Sequence, residues 1–244
     1  MPADEQPIPS VWARPRKERE QPVLSRGHIV AEAVRLLDEE GLDALSMRRL
    51  GSRLGAGATS LYRHVANKDE LFELAVDEVY GELPLPEIGD PADWRAAVTK
   101  IAHELRATIL RHPWVATKLG EAGLAYLGPN VLRRSEYLLG LFEGAGFPLK
   151  EADRAENAVT AYVLGVSTTE AAWLSMVARS GQSPQEWAER LWPAAERAVQ
   201  DFPRLRARYA EQRASALADE NDDAFDYGLQ RILDGLESRL RTLP

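Results

Sequence analysis

The residues best suited to chemistry fall in one stretch, Ser46 to Leu71, which reads SMRRLGSRLGAGATSLYRHVANKDEL. Within it Thr59, Ser60, Tyr62, Arg63 and His64 lie on what reads as the exposed side of a short helix. Each is a donor or acceptor of a length suited to base edges and phosphate oxygens. The chemistry on offer is recognition by hydrogen bond and charge. Signatures of catalysis are missing: there is no G-x-S-x-G elbow, P-loop, G-x-G-x-x-G fingerprint or H-E-x-x-H pair, and the acidic pairs are adjacent or on exposed helix faces. The absence of cysteine also excludes disulfides, a thiol nucleophile, Cys-ligated zinc and iron–sulfur clusters. An enzyme is therefore not expected.

Such side chains need a scaffold that presents them. Ser46 starts a helix with Leu50 and Leu54 as its apolar positions, and Gly55-Ala56-Gly57 stops it after about nine residues, before another helix runs from Ala58 to His64. Two short helices joined by a tight glycine turn cross steeply, so the second can enter a DNA major groove while the first braces it. Gly51 suits that crossing, and Leu50, Leu54 and Leu61 supply its apolar contacts. Ahead of the pair, Ile29, Ala33, Leu36 and Leu37 form a helical stripe that Ser25 can cap and Gly41 can end. Behind it, Asn67 and Glu70 form a capping-box pattern for a fourth helix carrying Leu71, Leu74 and Ala75, closed by Pro84, Pro86 and Pro91, with a linker at about 83–90.

Charge divides along the chain in the same way. The whole protein of 244 residues carries a net charge of -8, yet residues 11–68 hold eleven Lys/Arg against seven Asp/Glu, while residues 69–244 hold 19 against 29. Positive charge at the front and negative charge behind fits a nucleic-acid face joined to a body with another task. An apolar content of 45% supports a packed core. No apolar run approaches the roughly 18 to 20 residues of a membrane span and no signal-peptide core opens the chain, so a cytoplasmic protein is expected.

Beyond the linker the signals are again helical, and the fold expected is all-α. Asp90-Pro91-Ala92-Asp93 and Ser183-Pro184-Gln185-Glu186 each place a cap, an N1 proline and an acid in order. Ala155, Ala158, Val159, Tyr162, Val163 and Val166 keep a 3.6-residue period, as do Phe225, Leu229, Ile232, Leu233, Leu236 and Leu240. The expected units are a charged, disordered tail over 1–22, a helix-turn-helix unit over 23–82 that ends in its connecting helix, and a larger helical unit over 91–244. Arg14, Arg16, Lys17 and Arg19 in the tail read either as a minor-groove arm or as plain solvated charge.

The segment Ser25–Leu74 resembles the DNA-binding domain of the tetracycline-repressor (TetR) family. Gly41-Leu42-Asp43-Ala44-Leu45-Ser46, Leu61-Tyr62-Arg63-His64-Val65 and Asn67-Lys68-Asp69-Glu70-Leu71 carry the resemblance, and the remainder is similar, more loosely, to the family's ligand domain. The resemblance implies that Tyr62 and Lys68 contact phosphates, and that Arg48, Thr59, Ser60, Arg63 and His64 face bases or flanking phosphates. Arg63 or Arg48 is then the candidate for bidentate pairing to guanine. Other readings stand beside these: His64 as a half-buried link to the fourth helix, Tyr62 as partly core, and Arg48 and Arg49 as a solvated face.

The same resemblance implies a homodimer on a palindromic duplex operator, a small molecule that releases it, and dimerisation through the segments near 151–178 and 224–242. Ala161, Gly165 and Ala172 allow close approach there. Trp114, Tyr162, Thr169, Glu170, Trp173 and Met176 are the expected inward residues of a ligand pocket; aromatic and Met residues at this spacing read equally as core. Glu170 needs a partner, which a cationic ligand, an arginine or solvent can supply. His103, His112 and Lys118 do not match a tetracycline–metal site, so neither a metal nor another cofactor is expected. A ligand-free adaptor and an activator of the same fold are the alternatives.

Overall fold

In the computed structural model the described residues are 24–122, 128–214 and 217–243, so the charged tail lies outside them. They form α-helices joined by turns and short 3-10 segments, with no strand among them. The first four helices are α1 (Arg26–Glu40), α2 (Met47–Arg53), α3 (Ala58–Leu61) and α4 (Lys68–Gly81). The remainder are α5 (Trp94–Arg111), α6 (Pro113–Ala122), α7 (Pro129–Gly144), α8 (Leu149–Ser180), α9 (Pro184–Ala198), α10 (Pro203–Ala214) and α11 (Leu217–Leu240). No helix among the described residues is long and apolar enough to cross a membrane.

The caps form where the sequence places them. Ser25 and Ser46 accept from the amides of His28 and Arg49, and Asn67 Oδ1 accepts from Glu70 N at 2.8 Å. The Glu70 carboxylate reaches one residue beyond a standard box, to Ala66 N at 2.6 Å. At α9 the Ser183/Glu186 box is complete. Asp90 accepts from Ala92 N, but a 3-10 turn over Pro91–Asp93 comes before α5.

One continuous apolar core runs through both halves of the chain, from Ile29 and Leu50 through Leu71, Val76 and Val79 to Ile109, Phe142, Phe225 and Leu233. Fully burying such side chains supplies about 1.5 to 3 kcal/mol each, against the entropy of ordering them. α4 is the shared element: it packs on α1 at the front and on α7 behind. In the larger half α8 packs against α5, α6, α7 and α11. Trp94, Phe142 and Phe147 meet there with ring centroids 5.6–5.8 Å apart.

Two expectations need correction. α3 ends at Leu61 rather than His64; beyond it the chain tightens, with Arg63 N bonding to Ser60 O and His64 N to Leu61 O in the i→i−3 manner. The α8 stripe does not include Ala158, which is exposed, because at 100° per residue it stands opposite Val163, Ser167 and Ala171.

Candidate nucleic-acid interface

The front three helices build a small recognition head. Leu50 and Leu61 are fully buried between α1, α2 and α3, with Val65 beneath the turn that follows. Gly51 is required: a Cβ there would lie 2.7 Å from the Ala56 carbonyl oxygen and 3.4 Å from Ala58 N, so a side chain would push the turn and α3 off α2.

Charges on this head fall into two groups. Arg53 is tied to Glu32 at 2.5 Å and Glu39 at 2.6 Å, Arg49 pairs with Glu40, and Arg26 lies 3.4 Å from Glu70. Arg49, read from the sequence with Arg48 as a solvated face, is thus occupied by an acid of α1. By contrast, no ion pair or hydrogen bond among the described residues engages the side chains of Arg48, Thr59, Ser60, Tyr62, Arg63 or Lys68. Arg48, Thr59, Arg63 and Lys68 are exposed, and so is Tyr62, at 52%. Lys68 Nζ rests 5.3 Å from the Phe72 ring centre at the start of α4, where free backbone N–H groups add positive potential. His64 and Ser60 are half-buried. The recognition head thus exposes donors and cations that have no acid partner among the described residues.

Of the six residues expected to line a ligand pocket, Tyr162, Glu170 and Trp173 share the half-buried side of α8, and the other three stand elsewhere. Trp114 is buried, but its indole N–H donates to Asp38 Oδ1 of α1 at 2.8 Å, so it belongs to the seam between the halves. Thr169 and Met176 stand on the exposed side of α8 with Ala158, and the Thr169 hydroxyl donates to Gly165 O of its own helix. Tyr162 is half-buried and donates to Phe225 O at 2.9 Å, bridging α8 to α11. Trp173 is half-buried beside it on the helix wheel. Glu170 receives two hydrogen bonds from Arg106 of α5, both 2.8 Å, so the arginine is its partner. Arg106 also reaches Asp222 at 2.7 Å and lies over the Phe225 ring at 5.0 Å.

Links between the halves are the features sequence reasoning missed. His112, between α5 and α6, faces Asp38 of α1 at 2.8 Å through Nδ1 and Glu82, just past α4, at 3.2 Å through Nε2. Burial disfavours its charged form, but the two carboxylates outweigh that and raise its pKa. Glu82 also takes a 3.0 Å hydrogen bond from Arg111. Deeper in, Arg134 of α7 is almost wholly buried near Tyr80 of α4, donates to Thr160 at 3.0 Å and lies 3.8 Å from Glu156. Their only sequence signal is a polar residue within an apolar stripe.

Comparison with known proteins bears on both halves. Residues 29–75 match the model for bacterial regulatory proteins of the tetR family, and residues 85–240 match that for the tetracyclin repressor-like C-terminal domain. An "HTH-type transcriptional regulator" of Saccharopolyspora erythraea is 44% identical over 165 residues, covering 67% of this chain and 69% of that protein. The "HTH-type transcriptional repressor DrrR1" of Streptomyces coeruleorubidus is 34% identical over 225 residues, 89% of this chain and 78% of the relative. Among solved structures, ActR of Streptomyces coelicolor in complex with actinorhodin superposes with a TM-score of 0.71 at 30% identity, covering 89% of this chain and 98% of ActR.

Proposed function

The chain belongs to the TetR family of transcriptional regulators, and from that premise we propose that it is a dimeric repressor whose α1–α3 heads grip a palindromic operator and which a small molecule releases. The observation that carries the reading is the division of the head's cations. Ion pairs engage Arg26, Arg49 and Arg53, while Arg48, Arg63 and Lys68 are left exposed with no acid partner among the described residues. An anion is the natural complement of such a face, and a duplex presents phosphates and guanine edges at the needed spacing. Tyr62 and Lys68 hold phosphates, Arg63 and Arg48 read bases, and Thr59, Ser60 and His64 complete the contact. In this reading residues 23–82 form the DNA unit and 91–244 the ligand and dimerisation unit, and neither performs catalysis.

The dimer face is the outer side of α8 with the adjoining side of α11. Ala158, Ala161, Gly165 and Ala172 offer a small-residue strip to a second copy, with Met176 beyond it. Ile232, Leu236 and Leu240 of α11 are only half-covered within one chain. Release by a small molecule is supported by the relatives and by α4, which touches both units. Linkage then requires the ligand to weaken DNA binding by the factor by which DNA weakens the ligand.

The test is DNA selected from a random pool, followed by anisotropy titrations at several salt concentrations. A palindromic consensus is expected, with an affinity that falls steeply between about 50 and 200 mM salt. Salt-independent binding, or a consensus without two-fold symmetry, refutes the reading. Actinorhodin serves as the first release probe, within a wider panel scored by thermal stabilisation.

A further inference from the structure

Helix α7 begins without a cap of its own, since Gly128 at its N-cap offers no side chain. The cap comes from α4. Asp77 Oδ1 accepts from Asn130 N at 2.9 Å and from Val131 N at 3.1 Å, two of the donors that a helix start leaves unpaired. Asn130 Nδ2 returns the contact, donating to Asp77 Oδ2 and to the Asp77 carbonyl, both at 3.0 Å. The fit admits nothing further: a Cβ on Gly128 would lie 2.2 Å from Asp77 Oδ1, and one on Gly81 would lie 3.0 Å from Asn130 Nδ2.

These four directional bonds fix α4 against both sliding and rolling on α7. Val76, Val79 and Tyr80 of α4 are buried as well, but apolar burial is non-directional and sets the register less sharply than these bonds do. α7 packs on α5 and α8, so it belongs to the body that carries the proposed dimer face. Asp77 stands nine residues from Lys68, about 13 Å along the axis of α4. A small tilt at Asp77 therefore displaces the whole recognition head. Two heads reading successive major grooves must sit about 34 Å apart, and one base pair of error moves a half-site by about 3.4 Å and a tenth of a turn.

We propose that Asp77 is a specificity-determining positioning residue: by capping α7 from α4 it fixes the separation of the two heads, and so decides which half-site spacing the protein accepts. This rests on the dimeric operator-binding reading above. A merely structural Asp77 would, on removal, weaken every DNA complex alike; a positioning Asp77 changes the dependence on spacing.

The experiment uses the full chain and three duplexes: the selected operator and the same operator with one base pair inserted or deleted at its centre, with a single half-site as control. Wild-type protein is expected to lose at least tenfold in affinity on either change of spacing. Asp77→Ala narrows that loss to about threefold or less, with half-site affinity kept within twofold. Tenfold discrimination retained by Asp77→Ala, or an equal loss on all four DNAs, overturns the proposal. Asn130→Ala, which keeps both backbone caps, stands in if Asp77→Ala fails to fold; intermediate discrimination supports the assignment and wild-type discrimination overturns it. Wild-type protein that binds a single half-site as tightly as the operator refutes the dimeric reading itself, and this inference with it.

Discussion

The front and rear halves of this chain treat arginine in opposite ways. In the recognition head Arg48 and Arg63 are exposed and unpaired, whereas in the larger half Arg106 and Arg134 are buried in contact with Glu170 and Glu156. A solvated cation costs little to keep and retains its full attraction for an external anion; a buried one must be matched within the fold. The head thus holds its charge in reserve for a partner, and the body spends its charge on joining helices. Arg49 and Arg53 show that the division is local rather than regional, since both lie in the head yet are bound by acids of α1.

The largest effect that sharpens this contrast is in the body. Glu170→Ala leaves the Arg106 guanidinium, 10% exposed, with only Asp222 and the Phe225 ring. Removing one partner of a buried pair costs about 3 to 5 kcal/mol, and the surviving Asp222 contact puts the expectation near the lower figure, read by urea denaturation. The double replacement Arg106→Met with Glu170→Leu should come out about neutral. A single variant as stable as wild type would break the contrast. Next in size is the head: Arg63→Ala should cost roughly 1 to 3 kcal/mol on the selected operator and relax its sequence preference, whereas Lys68→Ala should weaken all sequences alike and reduce the salt slope by about one. Identical behaviour of the two would remove the division of base and phosphate roles.

These sites differ in how far the sequence could reveal them. The head was legible because its determinants are local: Ser46 caps three residues on, Asn67 caps Glu70, and Gly51 meets a turn five residues away. Thr59 and Ser60 lie on α3, and Tyr62, Arg63 and His64 follow within three residues of its end, so the donors are neighbours in sequence. The body depends on partners far apart in sequence, with 64 residues between Arg106 and Glu170 and 76 between Asp38 and Trp114. Periodicity shows that Glu170 needs a partner but not which residue provides it, and it marks Trp114 as inward without showing that its N–H meets Asp38. That Thr169 and Met176 stand on the exposed side of α8 was hidden for a simpler reason. A 32-residue helix with an apolar face on one side and small residues on the other offers two stripes, and composition alone does not tell which is inside.

A smaller effect tests the two groups of head arginines directly. Arg48→Ala should lower operator affinity by several-fold, because its side chain is free to reach the duplex. Arg49→Ala removes only a surface pair with Glu40 and should leave affinity within about twofold. Anisotropy titrations at one fixed salt concentration compare them. A larger loss for Arg49 would mean that the Glu40 pair opens on DNA, and that the ion pairs of the head are part of its reserve.

The smallest expected effect lies at the seam, where the two treatments of charge meet. His112 is held by Asp38 of the front half and by Glu82 at the end of α4, with Arg111 and the Trp114 N–H sharing those same carboxylates. Burial works against its charge, yet the acids raise its pKa above the ordinary value. A raised folded pKa gives stability that is complete below the unfolded value of about 6.5 and is lost as pH climbs through the folded one. Glu82 runs the other way: burial pushes its pKa up, but Arg111 and His112 bring it below the usual value, so its contribution disappears only in acid. Between pH 6 and 8 the His112 effect therefore stands alone at this seam. The imidazolium donates to both acids, whereas neutral imidazole has one N–H and turns a lone pair toward the second carboxylate. Thermal unfolding of wild type and His112→Gln at pH 6, 7 and 8 should show the advantage of wild type narrowing as pH rises. A constant gap would mean that His112 joins the halves as a neutral ring, by packing and one hydrogen bond, and that charge plays no part in holding them together.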